Sequence, residues 1–259
     1  LGWGYMLEGQ FTHLYIYLFA LVFGMIGFVD DYRKVRQHQN EGLTAKQKFA
    51  LQLLAAVVFL CLMRYEGLLT NDLYIPFINV TLTVNWIVYL IFAAFVIVGT
   101  VNSVNLTDGV DGLSASLAVV SIGTFLLAYG EELGDYSTAA IVFIGALLAY
   151  LWMNAKPSTL LMGDAGSRAM GFFLAVLALK SGHPFSFLLA ALVFIVDGSL
   201  GILKISLKRF LHISILKNTR TPLHDHARKN KGWSDEQVVA RWLIMQCVAS
   251  ALLLLIVRG

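Results

Sequence analysis

The chain has 259 residues, of which 58% are hydrophobic and 14% charged, with a mean hydropathy of +0.73. That is far more apolar than a soluble domain of this length, so the protein reads as integral to a membrane. A net charge of +3 with no dense Lys/Arg face excludes a nucleic-acid partner; two cysteines, Cys61 and Cys247, each inside an apolar run, exclude a disulfide framework or zinc site and read as small core residues.

Stretches long enough to cross a bilayer, about 20 apolar residues, predict an all-α, polytopic transmembrane helical bundle forming one domain, 1–259. Its eight spans lie near 11 to 29, 45 to 63, 85 to 101, 112 to 129, 137 to 153, 166 to 181, 184 to 206 and 238 to 257. No cleavable signal precedes the first span, and the chain does not open on Met. That span ends in GFVDDYRKV. Adjacent helical residues point about 100° apart, so of Asp30 and Asp31 one faces a site and the other a helix or basic partner. Lys34, four residues past Asp30, suits the second role; charge decoration beside a basic loop is the plainer reading. Thr44 with Gln47 forms a capping box that opens the second helix.

Between the third and fourth spans lies NSVNLTDGVDG, Asn102 to Gly112, which places Asp108 and Asp111 at the mouth of a membrane, where ionisable groups are costly and usually functional. Each aspartate precedes a glycine that lets a ligand approach the backbone, and Asn102 and Asn105 continue the three-residue spacing. A polar turn remains an equal reading, since Asp-Gly is common turn chemistry. Further on, LMGDAGS leads into a helix with Asp164 at its N-terminus, where free N–H groups and the dipole favour anions; a plain N-cap is the alternative. Gly198 and Gly201 interrupt the seventh span, indicating a bend or a close helix contact. Asp197, in the inner half of that span, reads equally well as a site residue or as a structural one. The loop from about 207 to 235 carries His224, His226, Arg228, Lys229 and Lys231, suited to phosphate or diphosphate, or else to anionic lipid. Ser234 with Gln237 is a second capping box.

Orientation follows from the basic residues. Arg33, Lys34, Arg36, Lys46, Lys48, Lys156, Arg168 and the whole basic run from Lys204 to Lys231 fall on one side, against Arg64, Lys180 and Arg258 on the other. The first side is the cytoplasmic one, and both chain ends then lie outside. Asp30, Asp31, Asp108, Asp111 and Asp164 all fall at cytoplasmic helix ends, where so many carboxylates repel unless a cation or raised pKa values relieve them. All-oxygen ligands favour a hard ion, and Mg²⁺ takes one or two carboxylates plus substrate phosphates.

Four segments, GFVDDYRKV, GTVNSVNLTDGVDGLSA, LWMNAKPSTLLMGDAGS and PLHDHARKNKGWSDEQVVARW, span Gly27 to Trp242 and together resemble the polyprenyl-phosphate N-acetylhexosamine-1-phosphate transferases. NLTDGVDGL and KGW favour the branch acting on UDP-MurNAc-pentapeptide over its GlcNAc-1-phosphate relatives. The resemblance implies ten helices, of which these eight would be the last, a cytoplasmic active site in the bacterial inner membrane, and a TPTMGG-type N-terminal segment with no counterpart here. It also implies transfer of phospho-MurNAc-pentapeptide to undecaprenyl phosphate, giving lipid I and UMP for peptidoglycan synthesis, with Mg²⁺ as cofactor. By similarity Asp164 is the metal ligand, Asp30 or Asp31 orients or deprotonates the lipid phosphate, and Asn105, Asp108 and Asp111 line the nucleotide and metal region. Asn154 and Lys156 border the nucleotide, and His224, His226 and Arg228 contact phosphate. Two departures stand out: His224, Asp225, His226 replaces a triple histidine, and Leu161 stands where an aromatic residue often stacks on uracil. Oligomeric state is left open, with a homodimer one arrangement. A GlcNAc-1-phosphate transferase is the nearest competing function. A cation-coupled transporter is disfavoured, because the outer halves of the helices are nearly free of charge.

Overall fold

The computed structural model describes residues 14–38 and 42–258. In chain order the helices are α1 (Tyr15–Gln37), α2 (Ala45–Tyr65), α3 (Trp86–Thr107), α4 (Leu113–Leu133), α5 (Asp135–Asn154) and α6 (Gly163–Lys180). A bent pair follows, α7 (Pro184–Ala190) and α8 (Leu192–Phe210), then α9 (Leu223–Lys231) and α10 (Asp235–Arg258). Six of them, α1 to α5 and α10, are long and apolar enough to cross a membrane, or seven spans if the bent pair counts as one. This is a polytopic, multi-pass membrane protein. The sixth expected span, 166 to 181, is helical as α6 but holds Asp164, Arg168 and Lys180 within 18 residues and is not among the six. Residues 11–13 of the first expected span lie outside the described residues.

Both capping boxes form. Thr44 Oγ1 accepts from the Gln47 N–H at 3.3 Å while Gln47 Oε1 accepts from the Thr44 N–H at 3.0 Å, and Ser234 with Gln237 repeats the exchange at 3.2 and 3.1 Å. Each box satisfies two N–H groups that a helix start otherwise leaves unpaired.

The bundle is built around α6, which packs on α1, α3 and α4 and is buried at every position from Met170 to Leu179. A helix apolar on all sides belongs inside such a bundle. Within a bilayer the drive for helix association is packing, because lipid tails are as apolar as leucine. Phe172 accordingly stacks on Phe23 at 4.8 Å between ring centroids and meets Phe59 edge-on at 5.0 Å. Lower down the same crossing, Gly27 of α1 lies against the backbone of Asp164; a Cβ built there would come within 2.2 Å of the Asp164 carbonyl oxygen.

Several sequence expectations are corrected. The chain is not purely helical: Asp72–Ile75 (β1) and Val80–Thr83 (β2) form an antiparallel hairpin with Asp72 opposite Thr83. Within 207 to 235, expected as loop, Leu223–Lys231 is helix. Cys61 and Cys247 are exposed rather than core residues, because the outer surface of a membrane bundle is as apolar as its interior and hydropathy does not separate the two. In the seventh span the axes of α7 and α8 differ by 83° across a break at Ala191. Gly198 lies beyond that break, where its missing side chain admits the backbone of Ser103 on α3.

Candidate active site

Helix α1 delivers Asp30 and Asp31 to the N-terminus of α6, and the two carboxylates have different surroundings. Asp30 is fully buried: one oxygen accepts from the Leu43 N–H at 2.6 Å, the other from Lys48 Nζ at 2.8 Å and Lys34 Nζ at 2.9 Å. Asp31 stays partly exposed, accepting from Lys34 Nζ at 2.9 Å and from the Asp164 backbone N–H at 2.9 Å, so it caps α6 from another helix. The two adjacent residues are thus held differently, Asp30 by lysines and Asp31 by the start of α6, but both lie in the cluster rather than one alone. Asp164 in turn accepts from Asn105 Nδ2 and from Arg168 Nη2, each at 2.9 Å, and Lys34 Nζ stands 3.5 Å away. One oxygen from each of Asp30, Asp31 and Asp164 lies within 4.8 Å of the others, close enough to share a cation. In this arrangement the Lys34 ammonium sits among all three.

The next pair of carboxylates is less well neutralised. Asp108 follows the last turn of α3, its N–H bonded to the Val104 carbonyl. Burial, reinforced by repulsion from Asp164 and Asp111 and partly offset by His224, pushes the Asp108 carboxyl up to about 7. Among the described residues no lysine or arginine is within ion-pair distance of Asp108 or Asp111. The donors are all oxygen, charge is in excess and Asp164 borders both halves of the cluster, so a hard divalent ion fits the residues present. Asn154, buried beneath this loop, accepts from the Gly112 N–H at 2.8 Å and donates to Ser158 Oγ at 3.1 Å and the Leu160 carbonyl at 2.8 Å. It ties the two acidic loops together.

A pH dependence follows. The Asp108 value in the folded state lies above its ordinary 3.8, so its contribution to stability is fully present below about pH 4 and is withdrawn as pH rises through about 7. In EDTA, thermal unfolding is expected to move to lower temperature between about pH 5 and about pH 8, and Asp108→Asn to flatten that slope. Mg²⁺ should raise Tm more at the alkaline end, where the carboxylate is charged. Identical slopes for the parent and Asp108→Asn would contradict the assignment.

His224 enters from α9. It is buried and hydrogen-bonded to Asp197, with its ring edge toward the Asp108 to Asp111 loop: a Cβ on Gly109 would lie 2.5 Å from His224 Nε2. Arg228 reaches the same loop, its Nη1 3.5 Å from the Gly109 carbonyl. The remaining expected residues sit farther out. His226 Nδ1 accepts from the Arg220 N–H at 3.3 Å, and Lys156 pairs with Asp235 at 3.0 Å and Glu236 at 3.4 Å. The hydrogen bond that Lys156 donates to Asp235 holds its ammonium above its ordinary value. Leu161 is 73% exposed.

Three participants were not singled out from sequence. Arg168, 2% exposed, grips Asp164 one turn away; Lys48 neutralises Asp30; Asp235 gathers Lys156 and Arg228. Only Arg168 left a readable signal, an arginine four residues after an aspartate within an apolar run.

The family model described as glycosyl transferase family 4 matches residues 13–182. A Treponema pallidum protein named phospho-N-acetylmuramoyl-pentapeptide-transferase is 36% identical over 261 residues, covering 93% of this chain and 70% of that protein. Proteins of the same name from Latilactobacillus sakei and Rickettsia prowazekii are 37% and 32% identical, covering 94% and 95% of this chain and 75% and 73% of theirs. The matched region contains Asp30, Asp31, Asp108, Asp111 and Asp164, and on these similarities the chain belongs to glycosyl transferase family 4.

Proposed function

We propose that this chain is a single-domain Mg²⁺-dependent phosphotransferase that moves phospho-MurNAc-pentapeptide from UDP-MurNAc-pentapeptide to undecaprenyl phosphate, releasing UMP and forming lipid I for peptidoglycan synthesis. It acts in the bacterial inner membrane from the cytoplasmic face, where the basic loops lie. The observation that carries this reading is the convergence at one end of the bundle of carboxylates from α1, from the loop after α3 and from the start of α6, beside a buried histidine from α9. Relatives named for this transfer support the choice of substrate.

An oxygen of the lipid phosphate attacks the sugar-bearing phosphorus, a new P–O bond forms, and the bond to the uridine-bearing phosphate breaks. Such transfers need mainly positioning and charge neutralisation. Asp164 would hold the metal with Asp108 and Asp111 beside it, and the ion would supply neutralisation of the phosphate charge. Asp31, the more accessible of the α1 pair, faces the lipid phosphate, while Asp30 anchors Lys34 and Lys48. Asn105 orients Asp164, Asn154 holds the nucleotide-side loops together, and His224 and Arg228 meet phosphate. His226 and Lys156 form the outer rim. The lipid tail remains in the bilayer while its head reaches this end of the bundle.

Purified protein incubated with undecaprenyl phosphate, Mg²⁺ and each UDP-sugar in turn tests the reading. UMP release and a lipid-linked product are expected with UDP-MurNAc-pentapeptide. Turnover of UDP-GlcNAc instead would assign the chain to the GlcNAc-1-phosphate branch, and no UMP with either sugar would overturn the transfer itself.

A further inference from the structure

Asp197 is an acidic side chain inside the bundle that the transfer chemistry above leaves without a role. It sits in the wide turn Ile195–Ser199 at the start of α8, a local π-helical insertion of the kind frequent at functional sites. It is 1% exposed, and among the described residues no lysine or arginine pairs with it. One carboxylate oxygen accepts from the His224 N–H at 2.7 Å and from the Trp242 indole N–H at 3.1 Å; the other faces His224 Nδ1 at 2.8 Å. A buried polar group without a partner is strongly disfavoured, and among the described residues the ring that faces this carboxylate is that of His224.

The geometry of the ring follows from that contact. An ionised carboxylate can only accept, so Nδ1 carries a proton and Nε2 becomes the working atom. Nε2 points at Gly109, between Asp108 and Asp111, where no side chain intervenes. The glycine makes room for the imidazole, and the imidazole is braced from behind.

We propose that Asp197 is a positioning residue that holds His224 with Nδ1–H on its carboxylate and Nε2 presented to substrate phosphate at the Asp108 to Asp111 loop. This rests on the reading of His224 as a phosphate contact. The competing role is purely architectural, a tie between α8, α9 and α10 made through the His224 backbone and Trp242. Asp197→Asn separates the two. Its amide oxygen still accepts from the His224 N–H and the Trp242 indole, so the tie survives. Its amide nitrogen, however, opposes Nδ1, which drives the ring proton to Nε2 and reverses the tautomer.

Turnover of UDP-MurNAc-pentapeptide by Asp197→Asn is expected to lose about 10²-fold or more in kcat, with KM changed less than about threefold and thermal unfolding close to that of the parent. In a His224→Ala background the same change should cost nothing further, because the residue acts only through the ring. Imidazole ¹⁵N spectra, with the His224 signal assigned by its loss in His224→Ala, should show a protonated Nδ1 in the parent and an unprotonated one in Asp197→Asn. Full turnover by His224→Ala would sink the phosphate-contact reading, and this proposal with it. If His224→Ala is impaired but Asp197→Asn keeps the parent kcat, or the parent Nδ1 carries no proton, the positioning role alone is overturned.

Discussion

Asp164→Asn is expected to lower Mg²⁺-dependent UMP release by about 10³-fold or more, since it removes the charge on which metal and phosphate binding would depend. The substitution keeps the side chain's shape but not its accepting capacity. One Asp164 oxygen receives Asn105 Nδ2 and the other receives Arg168, so an amide must turn its N–H₂ toward one of these donors. Arg168 is almost fully buried, and its remaining contacts to Asn102 and Asn105 are long, at 3.4 Å each. Losing the carboxylate should therefore also cost about 1–3 kcal/mol of stability. Activity has to be measured well below the variant's own melting temperature, with the folded fraction monitored. A folded variant that still releases UMP at the parent rate would rule out Asp164 as the metal ligand.

The second large effect concerns a residue with no chemistry. Gly27→Ala is expected to lower both stability and turnover, because the new Cβ would lie 2.2 Å from the Asp164 carbonyl oxygen and 2.7 Å from the Ala165 nitrogen. Both obstacles are backbone, so α1 and α6 must separate rather than a side chain swing aside. Overpacking of this kind costs about 1–3 kcal/mol. The separation also falls at the point where Asp31 accepts from the Asp164 N–H, and a displacement of about 1 Å at a reacting group can cost about 10² in rate. Gly24→Ala, one turn earlier on the same face, is the control: its Cβ would meet nothing nearer than 3.4 Å. Equal melting temperatures and turnover for the two alanine variants would show that the crossing tolerates the extra methyl.

Part of the site was legible from residue order. GFVDDYRKV, NLTDGVDG and LMGDAGS each place aspartates at the end of an apolar run, and burial beside like charges is what perturbs Asp108. Other features were hidden because they arise from contacts between segments far apart in the chain. Asp30 and Asp31 look equivalent as a pair, yet Lys48 and the Leu43 N–H bury one while the start of α6 engages the other. Lys156 is expected only as a neighbour of the nucleotide, and its partner Asp235 lies 79 residues later.

From residue order alone came the membrane character, most helix extents, both capping boxes and the aspartates to watch, because hydropathy and capping act within one or two turns of the chain. Which helix lies at the centre, which carboxylate meets which cation, and that His224 faces Gly109 were decided only by the tertiary structure. Those outcomes depend on helix crossings such as that at Gly27, where backbone closeness sets side-chain partners that local sequence does not encode.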